Sequence, residues 1–196
     1  MKSASPALLP LLRSRAQGDV TAWIMLHPGQ SFSLTDISEA VGVSVATVMR
    51  EVDRLSAAGF VKERRVGNTR FVQADTENVV FDPLSRLMAV TFGPIPVLRE
   101  MLGDVEGIRD AYIYGSWAAR HSDVPGPVPD DVDVLVIGTS DFDVLDDVAA
   151  ESGRQLGREV SIRRVRPEVW DSSSDDSFKA TVTSRPLVSL LRNDLP

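Results

Sequence analysis

The chain of 196 residues has no cysteine. That excludes a disulfide framework, a zinc–thiolate site and a cysteine nucleophile. It also has no apolar run approaching the roughly 20 residues that span a bilayer. The opening stretch, MKSASPALLPLLRSRAQGD, holds a short apolar segment broken by two prolines, without the continuous apolar core of a signal peptide. A cytoplasmic protein with no membrane partner is the expectation. A surplus of positive charge is missing too. There are 21 Lys and Arg against 28 Asp and Glu, a net charge of −7, and an acidic balance argues against a nucleic-acid partner. No internal repeat is visible.

What is present is ordinary for a globular protein: 43% apolar and 25% charged residues, in a length that suits one large domain or two small ones. The charge is unevenly placed. Residues 1–80 hold 9 basic and 8 acidic side chains, a balance of +1. Residues 81–196 hold 12 and 20, a balance of −8. Within 43–74 the count is 6 basic to 3 acidic, so a local basic patch lies inside the less acidic half.

Residues 19–27 (DVTAWIMLH) read as a helix ended by Pro28 and Gly29. Next, Leu34, Ile37 and Val41 recur at helical spacing, and Gly42 breaks the run. Ser44 is a good N-cap for a second helix, whose Val48, Val52 and Leu55 share one face. Gly59 closes it. FVKERRVGNTRFVQ then reads as two strands around a Gly67-Asn68 turn. Asp82-Pro83 should cap and open a further helix, with Leu84, Leu87, Met88 and Thr91 inward. Another helix spans about 94–102 and stops at Gly103.

Helix, turn, helix and hairpin in this order form a winged helix-turn-helix. In that arrangement the N-terminal residues of the second helix enter the major groove and the hairpin carries cations to flanking phosphates. The candidate contacts to double-stranded DNA are Ser44, Val45, Ala46, Thr47 and Arg50 on the helix, and Arg64, Arg65, Asn68, Thr69 and Arg70 in the wing. Positive charge at a hairpin tip has no packing role. The alternative is a protein-docking winged helix, since Glu51, Asp53 and Glu63 dilute the basic face. The segment LTDISEAVGVSVATVMREVDRLSAAGFVKERRVGNTRFV resembles the ArsR/MarR-like winged-helix regulators over about residues 16–75. Because one helix reads few base pairs, a homodimer is expected. Leu8, Leu9, Leu11 and Leu12 and the helices at 83–102 are candidates for its interface.

From residue 109 the pattern becomes strand, helix, strand. Ala111–Tyr114 is a short strand ending in Gly115-Ser116. A Pro- and Gly-rich loop (HSDVPGPVPD) leads to a strand over 131–137. A helix over 141–156 should turn Val144, Leu145 and Val148 inward. Glu159–Val165 and Leu187–Leu191 read as strands, and Ser172–Ser177 as a polar loop. Alternation puts Asp131 and Asp133 on one side of their strand, where two carboxylates repel unless a cation lies between them. Mg²⁺ suits such a pair completed by water and phosphate oxygens. Gly115 would let the backbone approach a phosphate, and Ser116 would add a hydroxyl.

The stretch IYGSWAARHSDVPGPVPDDVDVLVIG resembles the minimal nucleotidyltransferase domain of the DNA polymerase β-like superfamily, over roughly 105–191. The resemblance implies nucleotide binding at Gly115 and Ser116, and metal binding and catalysis at Asp131 and Asp133. It also implies a nucleoside triphosphate as ligand or substrate, and a transcriptional regulator as the whole fusion. Related minimal members include antitoxins of toxin–antitoxin pairs. Two departures stand out. The spacing from Ser116 to Asp131 is long, and the position of the third catalytic carboxylate is taken by Ser161, with Glu159 two residues away on the same strand face. Nucleotide sensing without turnover is therefore weighed against active transfer to a small molecule or protein.

The expected fold class is α+β. It comprises a winged helix-turn-helix over 1–80, a helical connection over 81–104, and a nucleotidyltransferase-like domain with a mixed sheet over 105–196. His27 reads as a helix C-cap, His121 as a loop histidine near the acidic strand, and Trp117 as a loop-packing residue or base stacker. Trp23 and Trp170 read as core or docking residues. Arg163, Arg164 and Arg166 are candidates for triphosphate binding or for balancing the acidic half.

Overall fold

The computed structural model describes residues 12–126, 129–172 and 177–191. Leu8, Leu9 and Leu11 lie outside the described residues, as do Ser173 and Ser174 of the polar loop. The chain divides into two compact units, one running to Pro96 and one from Val97. No helix among the described residues is long and apolar enough to cross a membrane.

The first unit contains α1 (Arg15–Leu26), β1 (Phe32–Ser33), α2 (Leu34–Val41), α3 (Val45–Ala57), β2 (Val61–Val66), β3 (Thr69–Ala74) and α4 (Phe81–Phe92). Local signals set most of these boundaries. Ser14 caps α1 by accepting from the Gln17 amide, and His27 ends it as C-cap. Ser33 and Asp36 form a reciprocal capping box at α2. Gly42 follows at φ 68°, a left-handed turn that side chains disfavour. Ser44 then caps α3 through the Thr47 amide at 3.3 Å. The three strands lie in the order β1-β3-β2, all antiparallel. Val66 pairs with Thr69, so Gly67-Asn68 is the two-residue hairpin loop. Val20, Ile24, Met25, Ile37, Val48, Val52, Leu55, Val72 and Met88 make one core. Trp23 packs at its edge.

α4 departs from the sequence expectation. It starts at Phe81, and Asp82 is not its cap. The side-chain oxygen of Asn78 accepts from the Val80 amide at 2.9 Å, and its carbonyl from Phe81, so a preceding turn winds directly into the helix. Met88 and Thr91 are buried as expected, but Leu87 is 45% exposed. The buried stripe is narrower than its apolar content. α4 is anchored on α1, where the Ser85 hydroxyl donates to the Met25 carbonyl at 3.2 Å.

α5 (Pro94–Gly103) crosses the division between the units. The second unit continues with β4 (Ile108–Tyr114), α6 (Gly115–His121), β5 (Asp131–Gly138), α7 (Phe142–Leu156), β6 (Glu159–Val165), α8 (Pro167–Asp171), α9 (Ser177–Thr183) and β7 (Val188–Ser189). Its mixed sheet runs β6-β5-β4-β7. β5 is parallel to β6 and antiparallel to β4, and β7 is antiparallel to β4. β5 is apolar on both faces: Val132, Val134 and Val136 point one way, Leu135 and Ile137 the other, and all are buried. Leu135 and Ile137 pack with Val182, with Trp170 and Phe178 alongside. In α7, Val144 faces solvent at 43% exposure, Val148 is half-buried, and Leu145, Ser152 and Leu156 form the buried line. α8 and α9 are not legible as periodic helices. Each spans at most two turns, too short for a 3.6-residue repeat to show.

Candidate functional site

Each unit presents one candidate site. The first lies on α3 and the β2–β3 wing. Packing of Val48, Val52 and Leu55 inward leaves Ser44, Val45, Ala46 and Arg50 exposed and Thr47 half-buried at the start of α3. Three of these residues are already linked. Ser44 Oγ and Thr47 Oγ1 lie 3.0 Å apart, and Arg50 Nη2 donates to Thr47 Oγ1 at 3.2 Å. Arg64, Arg65, Asn68 and Thr69 are exposed at the wing, and the Arg64 guanidinium lies 4.6 Å over the Phe71 ring.

Arg70 is placed differently. Its side chain is only 17% exposed. Nε and Nη2 donate to the two oxygens of Glu63 at 2.9 and 2.6 Å, and Nη1 to Asp53 Oδ1 at 2.6 Å. Its donors are committed within the unit, so it braces the wing against α3 instead of facing outward with Arg64 and Arg65. The fork–carboxylate geometry holds the Glu63 carboxyl below its usual range, with help from Ser56, and raises Arg70.

The other cations of the patch divide cleanly. Arg54 pairs with Glu51. Lys62 pairs with Asp75 and Glu77. Among the described residues, Arg50, Arg64 and Arg65 have no carboxylate in salt-bridge range. The net surplus of the patch therefore resides on α3's first turns and the wing. Met49 belongs to this surface as well, at 46% exposure one turn beyond Val45. The sequence signal was an apolar residue lying off the buried stripe.

The second candidate site lies where β4 ends. Gly115 has φ 73°, and a Cβ there would overlap the carboxylate of Asp133. The strand end and the acidic strand thus come together through the one residue type that permits it. Ser116 Oγ donates to Asp131 Oδ1 at 3.3 Å. The Asp133 carboxyl is pushed up, first by burial and then by the charges of Asp131 and Glu159. The parallel register pairs Asp131 with Glu159 and Asp133 with Ser161, so four polar positions share one sheet face. Arg163 lies on that face, stacked 3.6 Å over Phe178. Arg164 alternates to the opposite face, over Phe142 and bonded to the Ser140 carbonyl. Arg166 is the N-cap of α8.

His121 is not in a loop. It ends α6 and stacks on Trp117 at 5.1 Å, and burial lowers its pKa. His27 is buried, with Nδ1 2.7 Å from the Trp23 carbonyl and its ring against Trp23 and Phe32. Among the described residues, no three acidic or histidine side chains converge as a closed metal cage.

No protein-family model matches the chain, and no curated protein does. Solved structures similar to part of it include MepR, a transcription regulator of the Staphylococcus aureus multidrug efflux pump MepA, at 14% identity and TM-score 0.35 over 42% of this chain and 59% of that one. The heme sensor protein PefR from Streptococcus agalactiae aligns at 15% identity and TM-score 0.32, over 38% and 53%. Bordetella bronchiseptica BpsR, whose DNA binding is regulated by 6-hydroxynicotinic acid, aligns at 21% and 0.28, over 42% and 65%. The chain thus spans less than two thirds of each of these structures.

Proposed function

We propose that the first unit binds double-stranded DNA sequence-specifically and that the protein is a cytoplasmic transcriptional regulator acting as a homodimer. One observation carries this reading. Arg50, Arg64 and Arg65 are the cations of the 43–74 patch without carboxylate partners, and they sit on α3's outward start and the wing. A helix N-terminal half with flanking wing cations is the geometry that places one element in the major groove and the other on phosphates. The test is anisotropy titration of full-length protein against selected duplexes over a range of salt. Arg50→Ala should cost about 1–3 kcal/mol and relax sequence preference. Arg64→Ala/Arg65→Ala should weaken binding to all duplexes and flatten the salt slope by up to about two ions. Unchanged binding in both variants rejects the reading.

For the second unit we propose Mg²⁺-dependent binding of a nucleoside triphosphate, as a sensor. Supporting it is the approach of Gly115 to Asp133, with Ser116 bonded to Asp131. An open pair of carboxylates, in which burial and then the neighbouring charges of Asp131 and Glu159 raise the proton affinity of Asp133, suits a hard cation whose shell is finished by water and phosphate oxygens. Asp131 and Asp133 would hold Mg²⁺, which would supply charge neutralisation for the triphosphate there. Gly115 and Ser116 would meet phosphate through a backbone without a side chain and a hydroxyl. Arg163 lies on the same sheet face. The rival reading is nucleotidyl transfer to a small molecule or protein, including the role of an antitoxin. It requires a third carboxylate, and the residue paired with Asp133 is Ser161. Calorimetry with Mg²⁺ and each nucleoside triphosphate, beside Asp133→Asn, tests the sensor. No heat with any of them rejects it, and rapid product formation favours the enzyme.

A further inference from the structure

The outward surface of α3 is divided lengthwise. At about 100° per residue, the core residues Val48, Val52 and Leu55 lie on one side and Ala46 opposite them. Thr47 and Arg50 fall on one flank of Ala46, joined by their 3.2 Å hydrogen bond. Val45 and Met49 fall on the other flank, one turn apart, 44% and 46% exposed. A helix that already buries a full apolar stripe has no packing use for a second apolar pair on its solvent side. Both residues lie in the half of α3 nearest its N-terminus, beside Arg50, which has no carboxylate partner among the described residues.

We infer that Val45 and Met49 read thymine, through contact with its C5-methyl group. The inference rests on the DNA-binding reading and deepens it. Among the base edges in the major groove, the thymine methyl is the apolar group, and it distinguishes T·A from every other pair. The neighbouring charge commits this apolar flank to DNA over another protein: Arg50, Arg64 and Arg65 complement phosphate. Met49, with three rotatable bonds, adapts to a methyl at variable depth. Val45, stiff at χ1, presents its methyls in a fixed direction. The half-site so specified holds thymines on the Val45–Met49 side and, next to them, a guanine or phosphate within reach of Arg50.

The test replaces single thymines by deoxyuridine in the best duplex selected by the full-length protein. This change removes the methyl and leaves every donor and acceptor in place. At one or two positions per half-site, affinity should fall about fourfold per methyl, the equivalent of burying one such group. Val45→Ala and Met49→Ala should each lower affinity for the thymine duplex and abolish the thymine–uracil difference at one position. Neither should change the salt slope, since no charge is removed. Specific binding with no thymine–uracil difference anywhere overturns the inference and leaves the DNA reading standing. So does a difference that persists undiminished in both variants. Failure to select any duplex over a polyanion competitor removes the DNA reading itself.

Discussion

Arg70 in the wing grips Asp53 on α3, Nη1 to Oδ1 at 2.6 Å, across 17 positions of sequence. The same guanidinium holds both oxygens of Glu63. One planar fork thereby ties a wing strand to the helix beside it. A lysine could supply the charge but not the three directed donors. β1 pairs with β3 only at Phe71 and Val72, so from Arg65 to Arg70 the wing tip is two-stranded, and this tie helps fix where Arg64 and Arg65 stand relative to α3.

Arg70→Ala should therefore lower DNA affinity without flattening the salt slope, because no phosphate contact is lost. Arg70→Lys should restore only part of it. The stability cost should be modest, about 1 kcal/mol for a partly exposed pair. Titrations at several salt concentrations separate this behaviour from that of Arg64→Ala/Arg65→Ala. A slope that falls in parallel would make Arg70 a phosphate ligand instead.

The same cluster predicts a pH dependence. Arg70, then Ser56, hold the Glu63 carboxyl below its usual range. A depressed carboxylate contributes stability that is present above its unfolded value, about 4.3, and is lost as pH falls through the folded one. The urea midpoint of the wild type should exceed that of Glu63→Gln at pH 7, and the gap should close as pH drops from about 5 toward 3. A gap independent of pH would show that the tie is not electrostatic.

The winged helix was legible because its signals are local. Ser44, Gly42 and the Gly67-Asn68 turn each act within a few residues of themselves. The commitment of Arg70 within the unit was not legible for the opposite reason: its partners lie 7 and 17 positions away, and a count of wing cations cannot see them. Leu87 and Val144 show a second limit. A 3.6-residue period marks a stripe of apolar residues but not its width, and the packed face is narrower than the stripe. In the second unit the side on which Asp131 and Asp133 project followed from alternation alone. The opposition of Asp131 to Glu159 did not, because a parallel register depends on how the intervening α7 crossover is wound.

The core of the first unit includes α4. Met88 is 2% exposed within it, and Ser85 bonds to α1. A fragment ending at residue 80 would leave that surface uncovered, so it should fold poorly, whereas one ending at residue 96 should unfold cooperatively and bind DNA. Met88→Ala should cost about 2–5 kcal/mol, read as a lower denaturant midpoint for the first unit. Equal stability of the two fragments would place α4 outside the core.

The last prediction concerns the acidic face. Gly115 stands at φ 73° against the Asp133 carboxylate. Gly115→Ala should add about 1–2 kcal/mol of left-handed strain and displace Asp133, weakening Mg²⁺-dependent triphosphate binding while DNA affinity is kept. Ser116→Ala removes only a 3.3 Å hydrogen bond and should do less. Ser161→Asp works in the other direction. It sets a new carboxylate across from Asp133, so without metal the added repulsion should lower the melting temperature of the second unit. With Mg²⁺ the same charge becomes a ligand, and binding to the folded state should return the lost stability and more. Melting curves of the wild type and Ser161→Asp, each with and without Mg²⁺, should thus cross in rank. If Ser161→Asp melts with the wild type in both conditions, the face is not a cation site, and Asp131 and Asp133 are solvated charges at a strand end.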